Sequence, residues 1–347
     1  MSLARFRLLG RSGLRVSPLC LGTMTFAENW GADEAESRRI FDAYCDAGGN
    51  FIDTANMYAS GRSESCLGIF AEGRRHGLVI SSKYGFAMTQ GDPNAGGNHR
   101  KSLMRSLEDS LRRLRTDYID LYYLHVWDGT TSADEIMRAL DDAVRAGKIL
   151  YAGISDTPAW QIARMQTLAD LRGFAPLVAL QAEYNLIERT AERDLVPAAQ
   201  ALGLGVLPWS PLASGLLSGK YGSAVPPAQS ARRDLLAAHG RITGRAIAIA
   251  DCAAKIARQI GATPAQVAIA WLLANPAITA PVLGARTLAQ LKDNLGALNV
   301  TLAPEHHAAL EDASRIDAGF PHDFLAQPFV RQGVSGGTTI SPRGTWA

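Results

Sequence analysis

The chain has 347 residues, enough for one large domain or two ordinary ones, and 47% of them are apolar, enough for a substantial core. Its 35 basic and 33 acidic side chains leave a formal charge of +2, which argues against nucleic acid or an anionic membrane as main partner. Cys20, Cys45, Cys66 and Cys252 are scattered without a CxxC pair, which points away from a disulfide framework and toward reduced thiols.

The N-terminal stretch MSLARFRLLGRSGLRV has no apolar run of signal-peptide length, and no later segment suits a bilayer span, so a cytoplasmic location is expected. Residues 5–16, with Gly10 and Gly13 between apolar positions, predict a β-hairpin ahead of the main fold. Strands follow at 19–22, 51–53, 78–82, 119–124, 149–154, 178–181, 205–208 and 278–283. The clearest helices between them are 33–47, 100–114, 133–146, 158–171 and 190–202. In 133–146, Ile136, Leu140 and Val144 recur every four residues while Asp134, Glu135, Arg138, Asp141 and Asp142 take the wet face. The Gly-, Pro- and Ser-rich stretch 210–241 reads as a long functional loop. Beyond residue 316 helical signals are few, and 333–344 reads as loosely docked.

Eight strands alternating with helices imply parallel pairing, because parallel neighbours need a crossover. An open doubly wound sheet normally carries GxGxxG after its first strand, whereas here that strand ends in Leu21-Gly22-Thr23-Met24. The expected fold is therefore a (β/α)₈ TIM barrel with an N-terminal hairpin, one domain over 1–347, its barrel at 17–315 and a tail at 316–347.

In such a barrel the loops at the strands' C-terminal ends build the site. Asp53 ends the second strand with Tyr58 five residues on, Lys83 ends the third, and His125 ends the fourth. Each alone has an ordinary explanation as cap, packing ring, solvated charge or rim histidine. Together they make a proton donor. A phenol of pKa about 10 is a weak acid at neutral pH, and a neighbouring ammonium is expected to lower that value. Asp53 would keep Lys83 charged and oriented, and His125 would donate to a substrate carbonyl oxygen. The set suits carbonyl reduction by hydride, with Tyr58 as acid.

The motifs Asn50-Phe51-Ile52-Asp53-Thr54-Ala55 with Tyr58, Ser82-Lys83, Asp120-Leu121-Tyr122-Tyr123-Leu124-His125, Gly153-Ile154-Ser155, Gln181-Ala182-Glu183-Tyr184-Asn185, Ser210-Pro211-Leu212 with Gly215, and Pro281-Val282-Leu283-Gly284-Ala285-Arg286 run in one order over residues 5–315. In this the chain resembles the aldo-keto reductase family, most closely its bacterial aryl-alcohol-dehydrogenase-like and potassium-channel β-subunit-like branch. The resemblance implies NADPH as cofactor. It assigns the nicotinamide carboxamide to Ser155, Asp156 and Gln181, with aspartate where the family more often has asparagine. Trp209 would stack under the ring. The segment Ser210, Pro211, Leu212, Gly215, Leu217 and Lys220 would meet the pyrophosphate. Arg286 would take the 2′-phosphate, with Gln290 and Asn294 at helical spacing toward the adenine and Gly284 beside them. Gly22, Thr23, Met24 and Asp53 complete the expected cofactor set.

The substrate, a small carbonyl compound, is expected among Phe26, Trp30, Tyr84, Phe86 and Trp127, together with Tyr58 and His125; Met24 also belongs near them, and His99, Arg100 and Asp128 add polar positions. No metal is expected, since His125 and Asp53 form no recognisable ligand set. Neither nucleic acid nor a membrane is expected as partner, and homo-oligomerisation stays open. A contrasting reading is an NADPH-binding auxiliary subunit of the channel β-subunit type with little turnover.

Overall fold

A computed structural model describes residues 2–28, 30–223 and 237–339. The middle of the expected loop, 224–236, and the tail end, 340–347, lie outside the described residues.

The hairpin forms as expected: β1 (Arg7–Leu8) pairs antiparallel with β2 (Arg15–Val16). Eight parallel strands follow: β3 (Cys20–Gly22), β4 (Phe51–Asp53), β5 (Val79–Tyr84), β6 (Ile119–Leu124), β7 (Ile149–Ser155), β8 (Leu177–Glu183), β9 (Gly205–Trp209) and β10 (Val282–Gly284). Their spatial order is β10-β3-β4-β5-β6-β7-β8-β9, with β10 at one edge beside β3 and β9 at the other. The ring closes through a parallel bridge between Val206 and Ile278 and through Thr279 N–H donating to the Val206 carbonyl. The last strand was expected to begin at residue 278 but starts at Val282, because Pro281 has no N–H for the ladder and serves only as acceptor, to Cys20. This is a (β/α)₈ barrel.

Helices cover its outside: α1 (Glu34–Asp46), α2 (Arg62–Phe70), α3 (Arg100–Leu114), α4 (Ala133–Arg145), α5 (Ala159–Arg172), α6 (Leu195–Leu202), α7 (Gly244–Ile260), α8 (Pro264–Ala274), α9 (Leu288–Leu295) and α10 (Pro304–Ser314). Their starts follow capping chemistry. Asp33, Ser132, Thr243 and Thr287 each accept from a backbone N–H of the first turn, and Thr263 with Gln266 forms a full capping box before Pro264. Helix α8 escapes periodicity arguments because Val267 through Leu273 are all buried, leaving no polar stripe. The expected helix 190–202 is a short 3₁₀ turn at Thr190–Glu192 followed by α6.

The tail corrects the expectation of few helices. It carries α11 (His322–Ala326) and α12 (Pro328–Ser335), the latter with proline at its first position and left-handed Gly336 at its end.

The barrel has two unlike ends. At the N-terminal end, Leu9 and Val16 of the hairpin pack with Cys20, Phe51, Val79, Leu121, Val178 and Leu207 into an apolar plug. Gly10 makes the docking feasible: at φ +53°, a Cβ there would sit 2.3 Å from the Val178 carbonyl oxygen. Higher in the interior, Tyr123 lies against Gly153, where any Cβ would fall 2.5 Å from its ring. The C-terminal end stays polar and open.

Candidate functional site

Strand alternation brings the candidate residues together at that open end. On β5, Ser81 and Lys83 project to one face and Ser82 to the other. Lys83, fully buried, donates to Asp53 Oδ2 at 2.5 Å, to the Thr54 carbonyl at 2.9 Å and to the Tyr58 hydroxyl at 3.2 Å. Its three ammonium protons are thus all committed. Asp53 Oδ1 accepts from Ser81 Oγ at 2.7 Å and from Gln181 Nε2 at 3.1 Å. Tyr58 follows β4 on a tight turn in which Ala59 and Ser60 adopt positive φ. Its ring meets His125 edge-on at 5.9 Å, and Phe86 also meets His125 edge-on, at 4.8 Å. All four sequence-selected residues converge.

The electrostatics correct one expectation. Burial raises the Tyr58 phenol above its ordinary value, and this outweighs the lowering by Lys83. The negative charge of Asp53 also raises the phenol and offsets part of what Lys83 does. Burial works against the Lys83 charge, but Asp53 and Tyr58 more than reverse it and hold the ammonium above its usual range. Burial and the Lys83 charge push His125 down to about 2, so its imidazole is neutral. Its Nδ1 is buried without a hydrogen-bond partner among the described residues.

The expected cofactor residues divide by what already occupies their polar atoms. Ser155 Oγ is buried with no well-formed hydrogen bond among the described residues, and it lies near enough to the Asp156 carboxyl to favour its ionised form. One N–H of the Gln181 amide is committed to Asp53, which leaves its second N–H as a donor beside the amide oxygen. Asp156 accepts from the Trp209 indole N–H at 3.0 Å. Crowding by protein raises the Asp156 carboxyl, opposed by that indole and by Lys83.

Past β9, Ser210, Ala213, Ser214 and Gly215 all take positive φ, and Ser214 N–H donates to Ser210 Oγ at 2.8 Å. Ala213 N–H donates to the Ser210 carbonyl and Gly215 N–H to the Leu212 carbonyl, so these backbone donors close the turn on itself. Pro211 and Leu217 are buried, and Leu217 N–H is spent on the Leu212 carbonyl; Lys220 is exposed. At the start of α9, Gln290 Oε1 accepts from Arg286 N–H at 2.9 Å and Asn294 Nδ2 reaches the Gly284 carbonyl at 3.5 Å. Both side chains brace the turn. The Arg286 guanidinium has no ion-pair or hydrogen-bond partner among the described residues.

Gly22 and Thr23 are buried, and Thr23 donates to the Asp53 carbonyl through both its N–H and its hydroxyl, which fixes the strand end rather than facing a ligand. Of the expected substrate residues, Met24, Trp30 and Phe86 are exposed and Trp127 is half-buried, edge-on to the exposed Trp160 at 5.6 Å. Phe26 and Tyr84 do not belong with them. Phe26 is fully buried against Phe70; Tyr84 is fully buried, stacked on Tyr122 and donating to the Asn98 carbonyl. Each follows an inward-facing position by one residue or sits under a turn, so proximity in sequence misplaced it. His99 caps α3, Arg100 pairs with Asp142, and Asp128 accepts from Asn98, Thr130 and Thr131, all structural tasks. Sequence reasoning missed Ser81 and Trp160. Ser81 was available from strand period, two residues before Lys83; Trp160 carried no signal.

A family model described as the aldo/keto reductase family matches residues 18–315. The chain is 42% identical over 317 residues to an uncharacterized oxidoreductase, YrpG, of Bacillus subtilis strain 168, covering 88% of this chain and 94% of that protein. It is 37% identical over 332 residues to a norsolorinic acid reductase of Aspergillus flavus, with coverage of 92% and 83%. It is 35% identical over 339 residues to an aryl-alcohol dehydrogenase [NADP(+)] of Phanerodontia chrysosporium, with coverage of 89% and 86%. The chain belongs to the aldo/keto reductase family, a family of oxidoreductases acting on carbonyl compounds. No helix among the described residues is long and apolar enough to cross a membrane.

Proposed function

We propose that this protein reduces an aldehyde or ketone to the alcohol with NADPH as hydride donor and Tyr58 as proton donor. The observation that carries it is the contact of a buried, fully committed Lys83 ammonium with the Tyr58 hydroxyl at 3.2 Å, beside a neutral His125. The residues at the mouth fit a nicotinamide cofactor. Ser155 Oγ offers a buried hydroxyl, Gln181 a remaining amide N–H, and Arg286 a guanidinium unpaired among the described residues and suited to a 2′-phosphate.

Bound there, NADPH supplies a hydride to the carbonyl carbon. Tyr58 gives its phenolic proton to the carbonyl oxygen, and the phenolate left behind is stabilised by the Lys83 ammonium already in place. Asp53 keeps that ammonium charged and aimed, and neutral His125 donates a hydrogen bond to the same carbonyl oxygen. The phenol is protonated throughout the neutral range, as a donor must be; burial makes it a weaker acid, and the Lys83 ammonium at its oxygen opposes that. Phe86, Trp127 and Trp160 wall the approach and suit a flat apolar carbonyl compound. The similarity to the Phanerodontia aryl-alcohol dehydrogenase [NADP(+)] supports the cofactor choice.

The test is NADPH oxidation against aromatic aldehydes, sugar aldehydes and ketones, run beside calorimetric titration of NADPH and NADH. Turnover with at least one class is expected, and Arg286→Ala should weaken NADPH by about tenfold to a hundredfold while sparing NADH. Binding without turnover on any member would favour the auxiliary-subunit reading. Equal losses for both nucleotides would remove Arg286 from the 2′-phosphate.

A further inference from the structure

Asp156 and Trp209 meet above the end of β8, one following β7 and the other ending β9. The indole Nε1–H donates to Asp156 Oδ1 at 3.0 Å. Asp156 has φ +39°, the left-handed region that aspartate and asparagine tolerate better than most side chains. Its N–H donates to the Gln181 carbonyl at 3.3 Å and its carbonyl accepts from Trp127 N–H at 3.4 Å, so the backbone is held on both sides. The unusual backbone angle directs the carboxylate toward a ring of the next strand but one. The carboxyl also lies within the field of Lys83.

Two properties follow. Trp209 is half-buried, so the hydrogen bond at its one polar atom constrains its tilt. A carboxylate at this position, unlike an amide, also carries charge into the mouth between Ser155 and Trp209. An oxidised nicotinamide is cationic and a reduced one is neutral, so a nearby negative charge distinguishes them.

We propose that Asp156 is a positioning residue that braces the Trp209 indole across the mouth and biases the site toward the oxidised form of the cofactor. The charge bias rests on the cofactor reading above; the brace does not. Asp156→Ala removes both hydrogen-bond acceptor and charge. Asp156→Asn keeps an acceptor, tolerates the same backbone angle and removes the charge alone.

The experiment is indole ¹⁵N–¹H spectroscopy of the full chain, with the Trp209 signal assigned from Trp209→Phe, together with calorimetric Kd values for NADP+ and NADPH at pH 8. In Asp156→Ala the Trp209 N–H resonance should move and its exchange with water should quicken by about tenfold; in Asp156→Asn it should stay near wild type. The ratio of NADPH to NADP+ dissociation constants should fall about three- to tenfold in Asp156→Asn. An unmoved indole signal in Asp156→Ala overturns the brace while leaving the cofactor reading intact. An unchanged ratio in Asp156→Asn, with both nucleotides still binding, overturns the charge bias. Wild-type protein that binds neither nucleotide overturns the cofactor reading and the bias with it, whatever the indole shows.

Discussion

Consecutive residues of β5 end in two buried ion pairs with different consequences. Outward, Ser82 donates to Glu64 Oε1 at 2.5 Å and Arg113 donates to Glu64 Oε2 at 2.6 Å, tying β5, α2 and α3 together behind the barrel wall. Inward, Lys83 meets Asp53 at 2.5 Å. Glu64 and Lys83 are equally inaccessible, so burial of charge does not separate a structural pair from a chemical one. The difference lies in the third partner. Glu64 is shared among groups that close on one another, whereas Lys83 spends one proton on the hydroxyl of Tyr58, which borders the mouth. A buried pair becomes chemistry when it faces a group that can exchange a proton with a substrate.

The sharpest way to break this distinction is Tyr58→Phe. It removes the third partner without touching either pair, and carbonyl reduction should fall by about 10²–10⁴-fold while NADPH affinity stays within about twofold, measured by steady-state rates and calorimetry. Substantial turnover would show that the inner pair does not act through the phenol.

Arg113→Met makes the opposite case. It leaves Glu64 buried with only Ser82 for a partner, and should cost about 3–5 kcal/mol in denaturant unfolding while turnover per folded molecule is unchanged. A fall in turnover beyond the folded fraction would connect the outer pair to the site.

The pH dependence separates proton donor from proton acceptor. The Tyr58 phenol is raised by burial, so it stays protonated below about pH 10, and reduction should show no loss from this group between about pH 6 and 9. Alcohol oxidation needs the phenolate and should climb about tenfold per pH unit over that interval. His125, pushed down to about 2, is neutral throughout, so neither direction should show an inflection near pH 6.5. Such an inflection, measured on kcat/KM, would place a proton on His125 in the working enzyme.

The barrel and its four central residues were legible because both depend on local rules. Alternating strands and helices fix parallel pairing, and inward-facing residues at or just past the strand ends reach the mouth. Asp53, Lys83 and His125 were readable from that alone. What escaped depends on direction rather than position. Phe26 and Tyr84 lie near the mouth in sequence, yet their side chains enter the packing behind it, as the stacking of Tyr84 on Tyr122 shows. The rise of the Tyr58 pKa was equally hidden, because it depends on how much protein surrounds the ring. The engagement of Asp156 with Trp209 needed the left-handed angle at residue 156, which a single aspartate does not announce.

The smallest expected effect isolates the two faces one atom at a time. Ser81 and Ser82 are adjacent, both buried, and each donates its hydroxyl to a buried carboxylate. Ser81→Ala leaves Asp53 Oδ1 with Gln181 alone and loosens the aim of the Lys83 partner. Reduction should slow by roughly threefold to tenfold, at a stability cost of about 1 kcal/mol. Ser82→Ala leaves Glu64 with Arg113 and should cost about 1–2 kcal/mol of stability, with no change in rate per folded molecule. The pair controls for side-chain size, burial and strand position, so only the face differs. If both variants lose rate alike, β5 acts as one unit and the distinction between its faces fails. If only Ser81→Ala does, the inner carboxylate's orientation is what the chemistry draws on.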